Sequence, residues 1–142
     1  MTGLPILLDL LGRRVVIVGG GAVAARRART FTEAGAEVVV IAPEVSPELA
    51  AAPVELLHRR YRPGDLSEAW LAVTATDDPA VNAAVAEEAA GRRIFCVRAD
   101  TAAAGTARVP AILHSGELTV SVNAGDDPRR AAELRNLIAS AL

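Results

Sequence analysis

Four β-branched residues, Val15 to Val18, run straight into three consecutive glycines, Gly19 to Gly21, and from Ala22 the pattern turns helical. A β-branched run of this length reads as a buried strand, and the glycines end it in an immediate turn. Ala24, Ala28 and Phe31 recur at helical spacing through Ala34, and Gly35 is a good terminator. Val38 to Ile41 gives a second strand, closed by Ala42-Pro43. Strand, helix and strand within about 30 residues form a βαβ unit, whose parallel pairing and handedness follow from general rules.

The alternation continues. Ser46 to Ala51 is expected to form a short helix, Val54 to Leu57 a third strand and the polar stretch His58 to Gly64 a surface loop. Leu71 to Thr74 reads as a fourth strand. Asp78 then caps a helix with Pro79 at its first position, running to about Ala90 and stopping at Gly91. Ile94 to Val97 reads as a fifth strand, which completes the order of an open parallel α/β sheet. Beyond Asp100 the texture changes. Thr101 to Ala107 shows no clear period, Leu118 to Val122 reads as a strand after the turn-like Ser115-Gly116, and Pro128 opens a final helix to Leu142. That helix carries one apolar stripe, Leu134, Leu137, Ile138 and Ala141. One strand and one helix cannot enclose a core alone, so this tail is expected to dock on the sheet or on another subunit.

Composition narrows the chemistry. Of 142 residues, 51% are hydrophobic and 23% charged, enough for a core and unlike a disordered chain. The formal charge of -2 argues against nucleic-acid binding by bulk charge. All fifteen basic residues are arginine, so an internal Schiff base, a Walker A lysine and an amine base are excluded. The single Cys96 rules out an internal disulfide or CxxC pair, and His58 and His114 alone make a self-contained zinc site unexpected. No apolar run approaches the roughly 20 residues that cross a bilayer, and Asp9 interrupts the apolar start that a secretion signal would need. The expected setting is cytoplasmic, with neither nucleic acid nor membrane as partner.

Gly19-Gly20-Gly21-Ala22-Val23-Ala24 fits GxGxxA between a strand and a helix, the context in which that string carries meaning. Gly19 turns the chain, Gly21 lets backbone approach a pyrophosphate, and the small Ala24 lets helix pack closely on strand. A pyrophosphate would then meet the free amides of Ala22 and Val23 at the helix start. The same string also serves as a plain strand-to-helix turn. No acid ends the second strand to grip a ribose; Pro43 and then Glu44 follow it, and no arginine favours a 2′-phosphate, so NAD is expected over NADP. Thr76 and Asp77 follow the fourth strand at the ligand-facing end of the sheet and join the candidate cofactor residues.

Several segments together resemble the precorrin-2 dehydrogenase/sirohydrochlorin ferrochelatase family, including the amino-terminal part of siroheme synthases. They are Leu4-Pro5-Ile6, Val18 to Gly21 with Val23-Ala24, Glu33 to Ala36, Ala42-Pro43-Glu44, Ala75 to Asp78, Val81-Asn82, Arg93 to Cys96, Pro110 to Ile112 and Leu118 to Val120, in the family's order. The resemblance implies a Rossmann-like parallel sheet over residues 1–109 and a partial dimerisation segment, strand and helix, over 110–142. It implies NAD-dependent dehydrogenation of precorrin-2, a tetrapyrrole, to sirohydrochlorin, in many members also insertion of ferrous iron, and a homodimer. The family's key aspartate falls on Asp100, where a carboxylate after the fifth strand could accept the proton that accompanies hydride loss. The substrate bears many carboxylates, so Arg98, Arg108 and His114 are candidate contacts, with Arg59, Arg60 and Arg62 behind them; arginine binds carboxylates through its fork.

This sequence departs from the family near those residues. Cys96-Val97-Arg98-Ala99-Asp100 stands where an Asn-Val-Val-Asp run is usual, and Asn123-Ala124-Gly125-Asp126 replaces a hydroxyl- and glycine-rich turn, leaving Asn123 as its candidate substrate contact. The departures cluster in the substrate half. They motivate an alternative, a non-catalytic nucleotide- or tetrapyrrole-binding module, and beyond it a purely structural α/β unit.

Overall fold

The computed structural model describes residues 3–142. Leu4–Ala107 forms one compact unit, and Arg108–Leu142 belongs to a second.

In the first unit, β1 (Arg14–Val18), β2 (Glu37–Ile41), β3 (Glu55–Leu57), β4 (Leu71–Thr74) and β5 (Phe95–Arg98) form one parallel sheet in the order β3-β2-β1-β4-β5. Helices α1 (Ala22–Glu33) and α3 (Pro79–Arg92) cross over between strands, and the short α2 (Pro47–Ala50) follows β2. The strand order reverses direction between β1 and β4, so the switch point lies beside the glycine triplet. Val15 to Val18 are all buried, as are Val38 to Ile41, because a parallel sheet with helices on both faces hides every side chain of its central strands. Val16, Val18, Val39, Ile41 and Ala72 pack with Val85 and Ala89 of α3 and with Leu66.

The parallel α/β sheet expected from the sequence is therefore present. One local expectation is corrected. The helix expected to stop at Gly91 continues to Arg92, and Arg93 takes the left-handed position at φ 60°. Its amide donates to Ala90 O at 3.1 Å and that of Ile94 to Ala89 O at 3.0 Å, so the end is set by Ile94 reaching the core. After β5, a single 3-10 turn (Ala102–Ala104) leads back to the sheet, where Thr106 and Ala107 donate to Cys96 O.

The second unit is a hairpin with a helix, not the lone strand and helix expected. β6 (Ala111–Ser115), which the sequence pattern does not mark as a strand, pairs antiparallel with β7 (Leu118–Val122). The two-residue Gly116-Glu117 loop joins them with Gly116 at φ 58°, a first-position glycine that suits a primed hairpin turn. Helix α4 (Pro128–Ala141), capped by Asp127, packs on this hairpin. Ala131 is buried and Leu134 half-buried, whereas Leu137, Ile138 and Ala141 remain exposed.

Candidate functional site

A crevice of about 760 Å³ opens at the carboxyl ends of β1, β2 and β4, within the usual size range of small-molecule sites. Its floor is the glycine turn. Gly19 stands at φ 140°, and a side chain there would lie 2.3 Å from Ala75 O. Gly20 is tighter: a Cβ would lie 1.9 Å from Glu44 O and 2.9 Å from the Ala42 methyl. Its own carbonyl accepts from Ser46 N at 2.8 Å. The sequence pattern treats Gly20 as a free position; only the fold reveals that the β2–α2 loop lies against it. At Gly21, by contrast, a Cβ would meet nothing within 4 Å, and the residue faces open space.

Gly21 opens α1 without any side-chain cap, and the first turn holds no acid. The other α-helices differ: Ser46, Asp78 and Asp127 cap α2, α3 and α4. The amides that open α1 thus keep their capacity for an anion beside an open face. Ala22, Val23, Pro43, Glu44, Thr76 and Asp77 all line the crevice with Gly19 and Gly21. Ala24 is fully buried and packs the helix inward, away from the crevice. An uncapped helix start, a glycine face without a side chain and a cavity of this volume fit a dinucleotide.

Arg60 and Tyr61 also line the crevice, carried there by the loop after β3. Tyr61 does not stand out in the sequence because His58 to Gly64 reads as an ordinary polar loop; its place after a strand's carboxyl end is the available signal. The loop is pinned from α3. Glu88 accepts from the Tyr61 hydroxyl, from Gly64 N at 2.9 Å, from Leu66 N at 3.0 Å and from Arg92 Nε at 2.8 Å. Burial alone would raise the Glu88 carboxyl, but these donors outweigh it and hold it below the usual carboxylate range. Asp65 is lowered likewise: burial opposes, and Arg59 with the Arg62 amide prevails. Arg59 is therefore engaged with Asp65, at 2.8 and 2.9 Å.

Asp100 follows β5 and does not line the crevice. Both its oxygens accept from the Arg98 fork, Nε to Oδ1 at 3.2 Å and Nη2 to Oδ2 at 2.9 Å. This bond holds the Asp100 carboxyl below its ordinary range against partial desolvation, with help from the Thr101 amide and from Asn82. Asn82, only 1% exposed, belongs to the family pattern, but the sequence alone assigns it no role. It accepts from Thr76 N at 3.3 Å and Thr76 Oγ1 at 2.7 Å and donates to Thr76 O at 3.0 Å. One buried amide thus fixes the crevice-lining Thr76 from α3.

The remaining candidates belong to the second unit. Arg108 donates to Asp126 Oδ1 at 2.8 Å and Gly125 O at 3.2 Å, while its Nε and Nη2 are buried without a partner. Asn123 Oδ1 accepts from Gly125 N at 2.9 Å within the same turn. His114 is exposed on β6, its Nδ1 3.2 Å from Thr119 Oγ1. Among the described residues no group of three or more His, Cys, Asp or Glu could hold a metal ion, and no helix is long and apolar enough to cross a membrane.

Residues 6–111 match a family described as "Putative NAD(P)-binding". The siroheme synthase of Pseudomonas entomophila is 40% identical over 131 residues, 89% of this chain and 28% of that protein. The siroheme synthase of Chromobacterium violaceum is 45% identical over 125 residues, 85% of this chain and 27% of that protein. Among solved structures, one titled SirC, precorrin-2 dehydrogenase, superposes with a TM-score of 0.83 at 29% identity, covering 99% of this chain and 71% of that one. The chain belongs to the family of precorrin-2 dehydrogenases and siroheme synthase amino-terminal domains. It spans little more than a quarter of the two siroheme synthases. Asp100 follows β5, one strand away from β4 at the edge of the crevice.

Proposed function

We propose that this chain oxidises precorrin-2 to sirohydrochlorin with NAD as the hydride acceptor, acting in the cytoplasm as a homodimer. The observation that carries this reading is the uncapped start of α1 beneath an open glycine face, in a chain of this family. NAD, when bound, supplies the hydride acceptor. Gly19, Gly21, Ala22 and Val23 hold the pyrophosphate with backbone, Ala24 brings helix and strand together, and Pro43 and Glu44 bound the adenosine side. Thr76 and Asp77 border the opposite wall. Asp100 accepts the proton that leaves the macrocycle as hydride departs. Arg98, Arg108, His114 and Asn123 meet the substrate's carboxylates; the two unpartnered nitrogens of Arg108 support its part. Ferrous iron is a further substrate, inserted into the product.

One observation favours the alternative of a binding module without turnover: the fork of Arg98 occupies both oxygens of the proposed proton acceptor. Mixing wild type with fresh precorrin-2 and NAD separates the two. NADH absorbance rises for a dehydrogenase, and Asp100→Ala lowers that rate on the order of 100- to 10,000-fold while leaving NAD affinity intact. Tight NAD binding without NADH formation by wild type selects the binding module. Added ferrous ion reads the insertion step in the same assay.

A further inference from the structure

Arg60 lines the crevice, yet its guanidinium forms no ion pair and no hydrogen bond among the described residues. Its neighbours in the chain are occupied. Arg59 is closed on Asp65, and the Tyr61 hydroxyl donates to Glu88. The Arg60 carbonyl accepts from Arg59 Nη1 at 3.0 Å, so its backbone is held while its charge is left over. The sheet decides which end of the crevice that charge serves. Ile41 of β2 stands beside Leu57 of β3, and Ala42 N donates to Leu57 O at 3.1 Å. Glu44 and Arg60 each lie three residues beyond that pair, so they leave neighbouring strands at one level and border the same end. Asp100 follows β5 at the opposite edge of the sheet, four strand spacings or roughly 19 Å away. Arg60 therefore belongs to the β2 end, where the adenosine ribose of a dinucleotide lies when its pyrophosphate rests on α1.

We propose that Arg60 lets the crevice accept a 2′-phosphate on that ribose, so that the chain binds NADP as well as NAD. This rests on the dinucleotide reading of the crevice and widens its ligand class. The sequence places no arginine directly after β2; the fold supplies one from the loop of the next strand. No acid ends β2 to repel a phosphorylated ribose, since Ala42 and Pro43 follow Ile41. Of the crevice acids among the described residues, Asp77 and Asp78 follow β4, and Glu44 alone shares this end, its carbonyl lying against Gly20. A planar guanidinium suits a phosphate, to which it offers charge and a fork of donors together.

Calorimetric titration with NAD and NADP reads this without turnover, and adenosine 2′,5′-bisphosphate against adenosine 5′-monophosphate isolates the ribose end. Wild type is expected to bind NADP at least as tightly as NAD. Arg60→Gln lowers the NADP-to-NAD affinity ratio about tenfold, and the bisphosphate-to-monophosphate ratio by the same factor. Glu44→Gln, which removes the nearby like charge, raises both ratios. Because Arg60 is exposed, salt near 1 M is expected to erase most of the difference between wild type and Arg60→Gln. A wild type that prefers NAD more than about tenfold, or ratios that Arg60→Gln leaves in place, overturns the proposal. Equal weakening of both dinucleotides by Arg60→Gln overturns it too, since the guanidinium then serves the pyrophosphate they share. A wild type that binds neither dinucleotide removes the reading of the crevice itself, whereas one that binds NAD and refuses NADP removes this inference alone.

Discussion

The glycine crevice and the Asp100 carboxylate lie at the same ends of neighbouring strands, yet they are held by different chemistry. At the crevice the fixing contacts are backbone on backbone: Gly19 N donates to Ile41 O at 3.0 Å, Ser46 N to Gly20 O at 2.8 Å and Ala75 N to Val18 O at 2.8 Å. Around Asp100 the fixing contact is a side chain, the Arg98 fork. A site made of backbone depends on the absence of side chains, and protonation does not alter it. A site made of ion pairs depends on particular side chains, responds to charge and can change partners. The crevice is thus built to stay fixed, and the carboxylate end is built to respond to charge.

The strongest way to break this contrast is a single methyl at two adjacent glycines. At Gly20 a Cβ meets Glu44 O, a backbone atom that moves only with its loop, so Gly20→Ala is expected to cost about 3 kcal/mol of stability, read as a lower urea midpoint. At Gly21 the same methyl meets nothing, and the backbone there is extended. Gly21→Ala should therefore keep the wild-type midpoint but weaken NAD about tenfold, by crowding one or two amide-to-phosphate bonds of about 1.5–3 kcal/mol. Equal effects of the two methyls on stability would end the claim that one glycine is for folding and the other for the ligand.

A smaller effect sharpens the contrast, because one crevice wall is held by side chains after all. Glu88 pins the loop of Arg60 and Tyr61 with four donors. In Glu88→Gln one acceptor becomes a donor, and whichever way the amide turns it confronts two donors. The expected loss is about 2 kcal/mol at neutral pH, with weaker NAD binding. The folded Glu88 carboxyl lies below its usual range, so its contribution is fully present above the unfolded value near 4.3 and fades as pH falls through the folded value. The gap between wild type and variant should accordingly close in acid, and Asp65, lowered in the same sense, adds to the wild type's own loss there. A gap constant from pH 7 to pH 2 would show that the carboxylate charge is irrelevant to the loop.

The two ends are also unequally legible in the sequence. Val15 to Val18, the glycines and Val38 to Ile41 announce a buried strand, a turn and a second strand because the pattern is local, and β1, α1 and β2 follow it closely. Gly20 against Glu44, or Glu88 beneath Tyr61, joins residues 24 and 27 positions apart, and no local pattern encodes such a meeting. The Gly91 stop fails because Ile94, held by the core, decides where α3 ends, and glycine is not needed for the left-handed position that Arg93 adopts. β6 escapes notice because Ala111 to Ser115 alternates weakly, and it becomes a strand by pairing with β7 across Gly116-Glu117. Asp100 is legible only through family resemblance; its closure by Arg98 is geometry two residues away that spacing alone does not declare.

The smallest expected effect lies on the boundary between the two ends. Thr74 closes β4, paired in register with Val18 on the glycine side and with Arg98 on the other. Its carbonyl accepts from Ala99 N at 3.0 Å, but its hydroxyl is fully buried without a partner. An unpaired buried hydroxyl loses its water and gains nothing, so a methyl of similar shape should fit at least as well. Thr74→Val is expected to leave stability unchanged or raise it by up to about 1 kcal/mol, with NAD affinity and the Asp100 titration both as in wild type. A fall in the urea midpoint would mean that the hydroxyl links the two ends through the sheet. The backbone-built crevice and the side-chain-built carboxylate would then be one polar unit, and their separate responses to the other substitutions would need a common cause.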